Sequence, residues 1–275
     1  MLPTKRVDKL PAIVMAPGIS GVKEGSLFRY AETFAAAGFA VLAYDHINFG
    51  ESGGEPRQEA DPQLQRRGYR DAITYVALRP EIDKARIGIW GSSYTGGHVL
   101  EVAAQDRRVK CVVSQIGMIS GLQSFLRRMP AAQRRALMEQ LIADREARFQ
   151  GKPPGLIKAV SDRTDEPCVM PGPSAFHHMG TLGPPNWKNE LTLRSLDYLF
   201  GIENSAFVKY ISPTPLLMIV ALGDELVPVD LSLAAYEEAL EPKKLVLIPG
   251  DHFAPYGDGF DATSSEASAW FVRHL

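Results

Sequence analysis

The chain has 275 residues, which exceeds the usual domain of roughly 100 to 200 residues but suits one large α/β domain carrying an insertion. Apolar residues make up 45% and charged residues 23%, so intrinsic disorder, collagen and coiled coil are excluded. With 30 Lys+Arg against 32 Asp+Glu and no long run of one sign, the formal charge of -2 leaves no footprint for a nucleic-acid backbone, and neither DNA nor RNA is expected as a partner.

Short, continuously apolar runs bounded by Gly, Pro or Asp read as strands over residues 11–16, 40–44, 86–90, 110–114, 215–222 and 244–248. Continuous rather than alternating apolarity suits strands buried on both faces of a parallel sheet. Between the first four runs, helices are predicted over residues 26–37, stopping at Gly38, over 67–78, stopping before Pro80, and over 94–105. The alternation predicts a right-handed, doubly wound α/β fold.

After Ser114 the alternation stops for about a hundred residues, too long for structureless loop in a compact domain. This part opens with an arginine-rich helical stretch over 122–150, continues as a Pro- and Gly-dense loop over 152–185, and ends in a helix over 191–199. It reads as a mostly helical cap at 119–210, inserted into a core made of 1–118 and 211–275. Strand, helix (231–240), strand and a closing helix (264–272) complete the chain.

The strongest chemical signal is Gly88-Ile89-Trp90-Gly91-Ser92-Ser93-Tyr94-Thr95-Gly96-Gly97. An apolar strand runs into Gly91, then Ser93, then small residues opening a helix, as in a nucleophile elbow. Thr95 stands where the G-x-S-x-G pattern has its second glycine, with Gly96 and Gly97 just beyond. A phosphate-binding turn is the alternative, but neither G-x-G-x-x-G nor a Walker A pattern is present.

A serine hydroxyl needs a base. Of six histidines, His252 follows the strand at 244–248, and loops at the carboxyl ends of parallel strands converge on the side where Ser93 emerges. His46 follows a different strand, His98 sits on the elbow helix, His177 and His178 belong to the cap, and His274 is terminal. The base needs a carboxylate to fix its tautomer. Asp224, after the strand at 215–222, is the leading candidate, with Glu225 and Asp230 nearby, while Ser114-Gln115-Ile116-Gly117 offers none. Ser, Asp, His is then the order along the chain. An oxyanion hole is expected from the backbone N–H of Tyr94 and, since Pro17 has none, from that of Ile19 beside Gly18.

These residues, together with Leu10 through Gly18, Tyr44-Asp45 through Phe49-Gly50-Glu51-Ser52-Gly53-Gly54-Glu55-Pro56-Arg57, Trp187 through Ser195 and His252-Phe253-Ala254-Pro255-Tyr256, resemble the α/β-hydrolase superfamily over essentially the whole chain. The likeness is to the dienelactone-hydrolase-like and X-Pro-peptidase-like hydrolases and their fungal polyketide-transferase relatives. It implies a Ser93, Asp224, His252 triad. Ser93 points away from dienelactone hydrolysis, which uses a cysteine nucleophile. Such relatives usually have His where this chain has Pro17, and two strands before the one at 11–16, for which this chain starts too late. Either the start is truncated or the sheet has six strands instead of eight, with the strand at 40–44 exposed at an edge and covered by residues 2–9 or by a second copy of the chain in a homodimer.

The leading expectation is a serine hydrolase acting on a small-molecule carboxylic ester, thioester or lactone through an acyl-enzyme, without cofactor or metal. The alternatives are acyl transfer by the same triad and a non-catalytic binding protein on the same fold. X-Pro peptidase activity is not expected, because no acidic pair is committed to a free substrate amine. Cap arginines Arg127, Arg128, Arg134, Arg135, Arg145 and Arg148, interspersed with Glu139, Asp144 and Glu146, read as a solvated face with local ion pairs rather than a site for an anionic substrate such as a coenzyme A thioester. Trp187, Phe176 and Tyr198 read as cap packing rather than an acyl pocket. Two cysteines, Cys111 and Cys168, and no apolar leader point to the cytoplasm, and no stretch reaches the roughly 18 to 20 apolar residues a membrane span needs.

Overall fold

Strand β1 (Leu10–Ala16) feeds two apolar layers at once, because successive side chains leave opposite faces of a strand. Ala12, Val14 and Ala16 join one buried cluster, and Ile13 and Met15 join another. The computed structural model describes residues 1–2, 9–163 and 166–275. The chain continues through α1 (Leu27–Ala36), β2 (Ala40–Ala43), α2 (Pro62–Ala77), β3 (Ile82–Ser92), α3 (Tyr94–Gln105) and β4 (Val109–Gln115). Between β4 and the next strand of the large sheet come α4 (Gly121–Leu126), α5 (Ala131–Phe149), β5 (Leu156–Ser161), β6 (Cys168–Pro171), the short α6 (Pro173–Ala175), a π-helical turn (Phe176–Thr181), β7 (Leu191–Thr192) and α7 (Leu193–Phe200). A 3₁₀ segment (Asn204–Tyr210), β8 (Leu216–Ala221), α8 (Val229–Glu238), β9 (Lys243–Ile248) and α9 (Phe260–His274) follow.

All six sequence-predicted strands are present and form one parallel sheet in the order β2-β1-β3-β4-β8-β9. Helices α2, α3 and α8 cover one face through Tyr69, Ile73, Val99, Leu100 and Ala235. Helices α1 and α9 cover the other through Tyr30, Phe34, Ala267 and Phe271. Burial of both faces is what the unbroken apolar runs require. The strand order reverses direction at β1, so the loops leaving β1 and β3 lie side by side at the carboxyl ends, where α/β sheets form their crevice.

Several boundaries differ from the sequence reading for local reasons. Helix α2 begins five residues before the expected start, because the Asp61 carboxylate accepts from the N–H groups of Gln63 and Leu64 and Pro62 takes the first helical position. The arginine-rich stretch is two helices, broken at Pro130. The Pro- and Gly-dense segment is not all loop: its β5 and β6 form a second sheet with β7, which takes the first two residues of the helix expected over 191–199, in the order β6-β5-β7. Leu137, Leu141, Val160, Leu193 and Leu196 share one apolar cluster with Ile19, Phe49, Tyr94 and Val227, so this segment packs continuously onto the carboxyl-end loops of the large sheet.

Strand β2 lies at the sheet edge, as expected. Met1 covers part of it: its ammonium donates to the Val41 carbonyl at 2.8 Å, and the Val41 N–H donates to the Met1 carbonyl at 2.9 Å. Of the expected covering segment at 2–9, residues 3–8 lie outside the described residues. Among the described residues, no helix is long and apolar enough to cross a membrane.

Candidate active site

Ser93 sits between β3 and α3 with φ 61° and ψ -125°, a conformation that costs a non-glycine residue about 1 to 3 kcal/mol. The surroundings hold it there. Its N–H donates to the Gln115 carbonyl at 2.9 Å, and its carbonyl accepts from Gly97 N at 3.2 Å and Met118 N at 2.9 Å. The small residues around it are required by contact: a Cβ on Gly91 would lie 2.4 Å from the Thr95 carbonyl oxygen, and one on Gly97 2.2 Å from that of Met118. Thr95 is accommodated because its hydroxyl has a use: it donates to the Pro17 carbonyl.

Ser93 Oγ lies 2.8 Å from His252 Nε2, and His252 Nδ1 lies 2.6 Å from Asp224 Oδ2. The other Asp224 oxygen accepts from the N–H groups of Leu226 at 2.9 Å and Val227 at 2.8 Å, which fixes the carboxylate in rotation. With the carboxylate as acceptor, Nδ1 carries the imidazole proton and Nε2 is free to accept from the serine hydroxyl. All three residues are buried. Glu225 is exposed, and Asp230 is turned to Arg127 Nη1 at 2.7 Å, so only Asp224 of the three candidate acids reaches His252.

Gly18 brings the β1 loop against the elbow, since a Cβ there would lie 3.3 Å from Ser93 Cβ. Among the described residues, neither the Ile19 nor the Tyr94 N–H donates a hydrogen bond. Beneath the elbow, Tyr256 Oη lies 2.6 Å from Ser92 Oγ, which also accepts from Gln115 Nε2 at 3.1 Å. This gives the aromatic in the His252 to Tyr256 stretch a supporting role.

A cavity of about 1580 Å³ opens onto Ser93 and His252 and is lined from the segment between β4 and β8 by Met170, His178, Met179 and Trp187. The sequence places His178 in the cap and nothing more, yet it reaches the site. It stacks on Tyr256 at 4.8 Å, lies 5.0 Å from the Phe253 ring, and places Nε2 2.9 Å from Ser26 Oγ. Burial, with His252 and His177 adding repulsion, pulls its pKa down to about 4, so it is neutral at physiological pH. A π-helical turn, a form often found at functional sites, carries it, and no sequence pattern announces such a turn. Of the aromatics read as cap packing, Trp187 also lines the cavity.

His46 and His98 are buried in the core behind the elbow, His46 Nε2 3.3 Å from Thr95 Oγ1 and His98 Nε2 3.1 Å from Gln65 Oε1. Glu24, Asp45 and Glu51 bring carboxylates close enough to share a metal ion, but Lys23 Nζ occupies the space among them at 2.7, 2.9 and 2.6 Å.

The X-Pro dipeptidyl-peptidase (S15) family profile matches residues 1–254. A thiohydrolase of Eupenicillium brefeldianum is 29% identical over 271 residues, covering 96% of this chain and 86% of the relative. The thiohydrolase AneE of Aspergillus aculeatus is 31% identical over 275 residues, with the same coverage of 96% and 86%. The polyketide transferase GrgF of a Penicillium species is 28% identical over 241 residues, covering 87% of this chain and 80% of the relative. The crystal structure of GrgF, described as an α/β hydrolase, superimposes with a TM-score of 0.84 over 100% of this chain and 92% of that one, at 26% identity.

Proposed function

The chain belongs to the X-Pro dipeptidyl-peptidase (S15) family and has the α/β-hydrolase fold, and we propose that it is a serine hydrolase cleaving a carboxylic ester, thioester or lactone. The observation that carries the reading is the unbroken relay from Ser93 Oγ through His252 to Asp224, at 2.8 and 2.6 Å, beneath an open cavity. Likeness to proteins named thiohydrolases favours a thioester among these substrates.

In this reading Ser93 Oγ attacks the scissile carbonyl carbon and passes its proton to His252 Nε2, while the carbonyl electron pair moves onto oxygen. The N–H groups of Tyr94 and Ile19 receive that oxyanion, and one such donor is worth about 3 to 4 kcal/mol of barrier. Collapse breaks the bond to the leaving thiolate or alkoxide, which takes the proton from His252 and leaves the acyl group on Ser93. Water then adds to the acyl carbon, giving its proton to His252, and expulsion of Ser93 Oγ, reprotonated by His252, frees the carboxylic acid. Asp224 holds the tautomer and stabilises the imidazolium in both halves.

Acyl transfer is the second reading, and likeness to a protein named a polyketide transferase favours it, in a cleft of about 1580 Å³ that admits an alcohol or amine as well as water. Both readings are tested by fluorophosphonate labelling of the wild type and Ser93→Ala, run beside turnover of acyl thioesters with and without an added alcohol. Labelling that depends on Ser93 is expected. Equal labelling of both proteins moves the nucleophile away from Ser93, and no labelling of either overturns the catalytic reading in favour of a binding protein.

A further inference from the structure

Three of the six arginines that the sequence groups together pair locally. Arg127 meets Asp230 at 2.7 Å, Arg145 meets Asp197 at 3.0 Å and Arg148 meets Asp144 at 2.8 Å. Arg128 differs. Among the described residues no carboxylate pairs with it. Its Nε donates to the Ser124 carbonyl at 2.7 Å, its guanidinium lies 4.8 Å from the Phe125 ring centre, and its Nη1 is buried without a hydrogen-bond partner.

That group borders a second, small cavity of about 20 Å³, whose walls include Ser93, His252, Phe125 and Met170. Asp224 is the carboxylate whose charge acts on Arg128, but its oxygens are committed to His252 and to the N–H groups of Leu226 and Val227. Desolvation pulls the Arg128 pKa down to about 10, so the group stays charged at neutral pH. A buried N–H without a partner costs about 1 to 3 kcal/mol, more on a charged group, and buried cations are ordinarily paired. The cavity has room for little more than a water, which needs about 10 to 15 Å³, so it suits a single oxygen-bearing group rather than a long alkyl chain.

We propose that Arg128 is a specificity-determining residue that binds an anionic or enolisable oxygen carried on the acyl group, close to the scissile carbonyl. The inference rests on the serine-hydrolase reading and deepens it: the substrate is an acyl ester or thioester that lies in the large cavity and extends one oxygen of its short acyl group into the small one, toward Arg128. A planar guanidinium suits a carboxylate or enolate oxygen better than an ammonium would.

The test compares butanoyl, succinyl and acetoacetyl thioesters of N-acetylcysteamine, which differ in the oxygen and hardly in length. The wild type is expected to favour succinyl or acetoacetyl over butanoyl by tenfold or more in kcat/KM, and which of the two it favours identifies the oxygen as carboxylate or 3-oxo. Arg128→Met should erase that ratio, and Arg128→Lys should keep part of it. A second measurement does not depend on how the Arg128 variants fold: titration of Ser93→Ala with the same thioesters should show the favoured compound binding at least tenfold tighter than butanoyl. Equal kcat/KM for all three in the wild type, equal Kd values, or an equal loss on all three in Arg128→Met would overturn the proposal. Any of those results alongside intact fluorophosphonate labelling of Ser93 would leave the serine-hydrolase reading standing, and loss of labelling would remove both.

Discussion

Thr95 donates its hydroxyl to the Pro17 carbonyl and so ties the first turn of α3 to the loop after β1. The two segments carry the Tyr94 and Ile19 N–H groups. The residue that departs from the elbow pattern thus takes up a task that glycine could not perform. Thr95→Val keeps the volume but removes one of the two hydrogen bonds to the Pro17 carbonyl, the other coming from His46, at a cost of about 1 kcal/mol. Chemical denaturation should show that loss and thioester assays a lower kcat, with Thr95→Ser recovering most of both. Unchanged stability and kcat in Thr95→Val would mean that the bond has no such role.

Asp224→Asn should keep the geometry while favouring the wrong imidazole tautomer, lowering kcat by up to about 10⁴. Glu225, exposed and off the relay, should tolerate Gln with little change. Steady-state kinetics on one acyl thioester would rank the two, and the reverse order would move the acid to Glu225.

Two glycine substitutions should have opposite signs. Gly97→Ala puts a methyl 2.2 Å from the Met118 carbonyl oxygen and should destabilise by about 3 kcal/mol or more. Gly68, inside α2, has nothing within 4 Å of the place a Cβ would take, and Gly68→Ala should stabilise by about 0.5 to 1 kcal/mol. Thermal melts of the pair decide the matter, and equal shifts would contradict the packing.

Burial holds the pKa of both His46 and His178 near 4, below the ordinary value of 6.5. The unfolded chain therefore takes up protons first as the pH falls. Stability from these two groups is fully present above about 6.5 and is lost on descending to about 4. Melting temperatures should fall across that window, and His46→Gln should flatten the slope. A constant melting temperature from pH 7 to 4 would contradict neutral burial.

The core is legible in the sequence because parallel strands buried on both faces write themselves as continuous apolar runs, and all six such runs are strands of the sheet. The meeting of Ser93, His252 and Asp224 is legible because each follows such a strand, and carboxyl-end loops converge. The segment between β4 and β8 is not. Its small sheet takes two strands from a Pro- and Gly-dense stretch and a third as short as Leu191–Thr192, which leave no periodic pattern. His178 and Arg128 escape sequence reasoning on related grounds: a histidine of the cap and one arginine among many give no sign of which way they turn until α4 and the π-helical turn are placed over the site.

Everything proposed for the reaction requires the acyl group to rest on Ser93. Wild-type protein quenched in acid during turnover of an acyl thioester and digested should yield the Ser93 peptide heavier by the mass of the acyl group less the hydrogen it replaces. Ser93→Ala should show no adduct and well under a tenth of wild-type kcat, since loss of a triad nucleophile costs several orders of magnitude. An adduct on another residue, or a kcat in Ser93→Ala above about a tenth of wild type, would contradict covalent catalysis by Ser93.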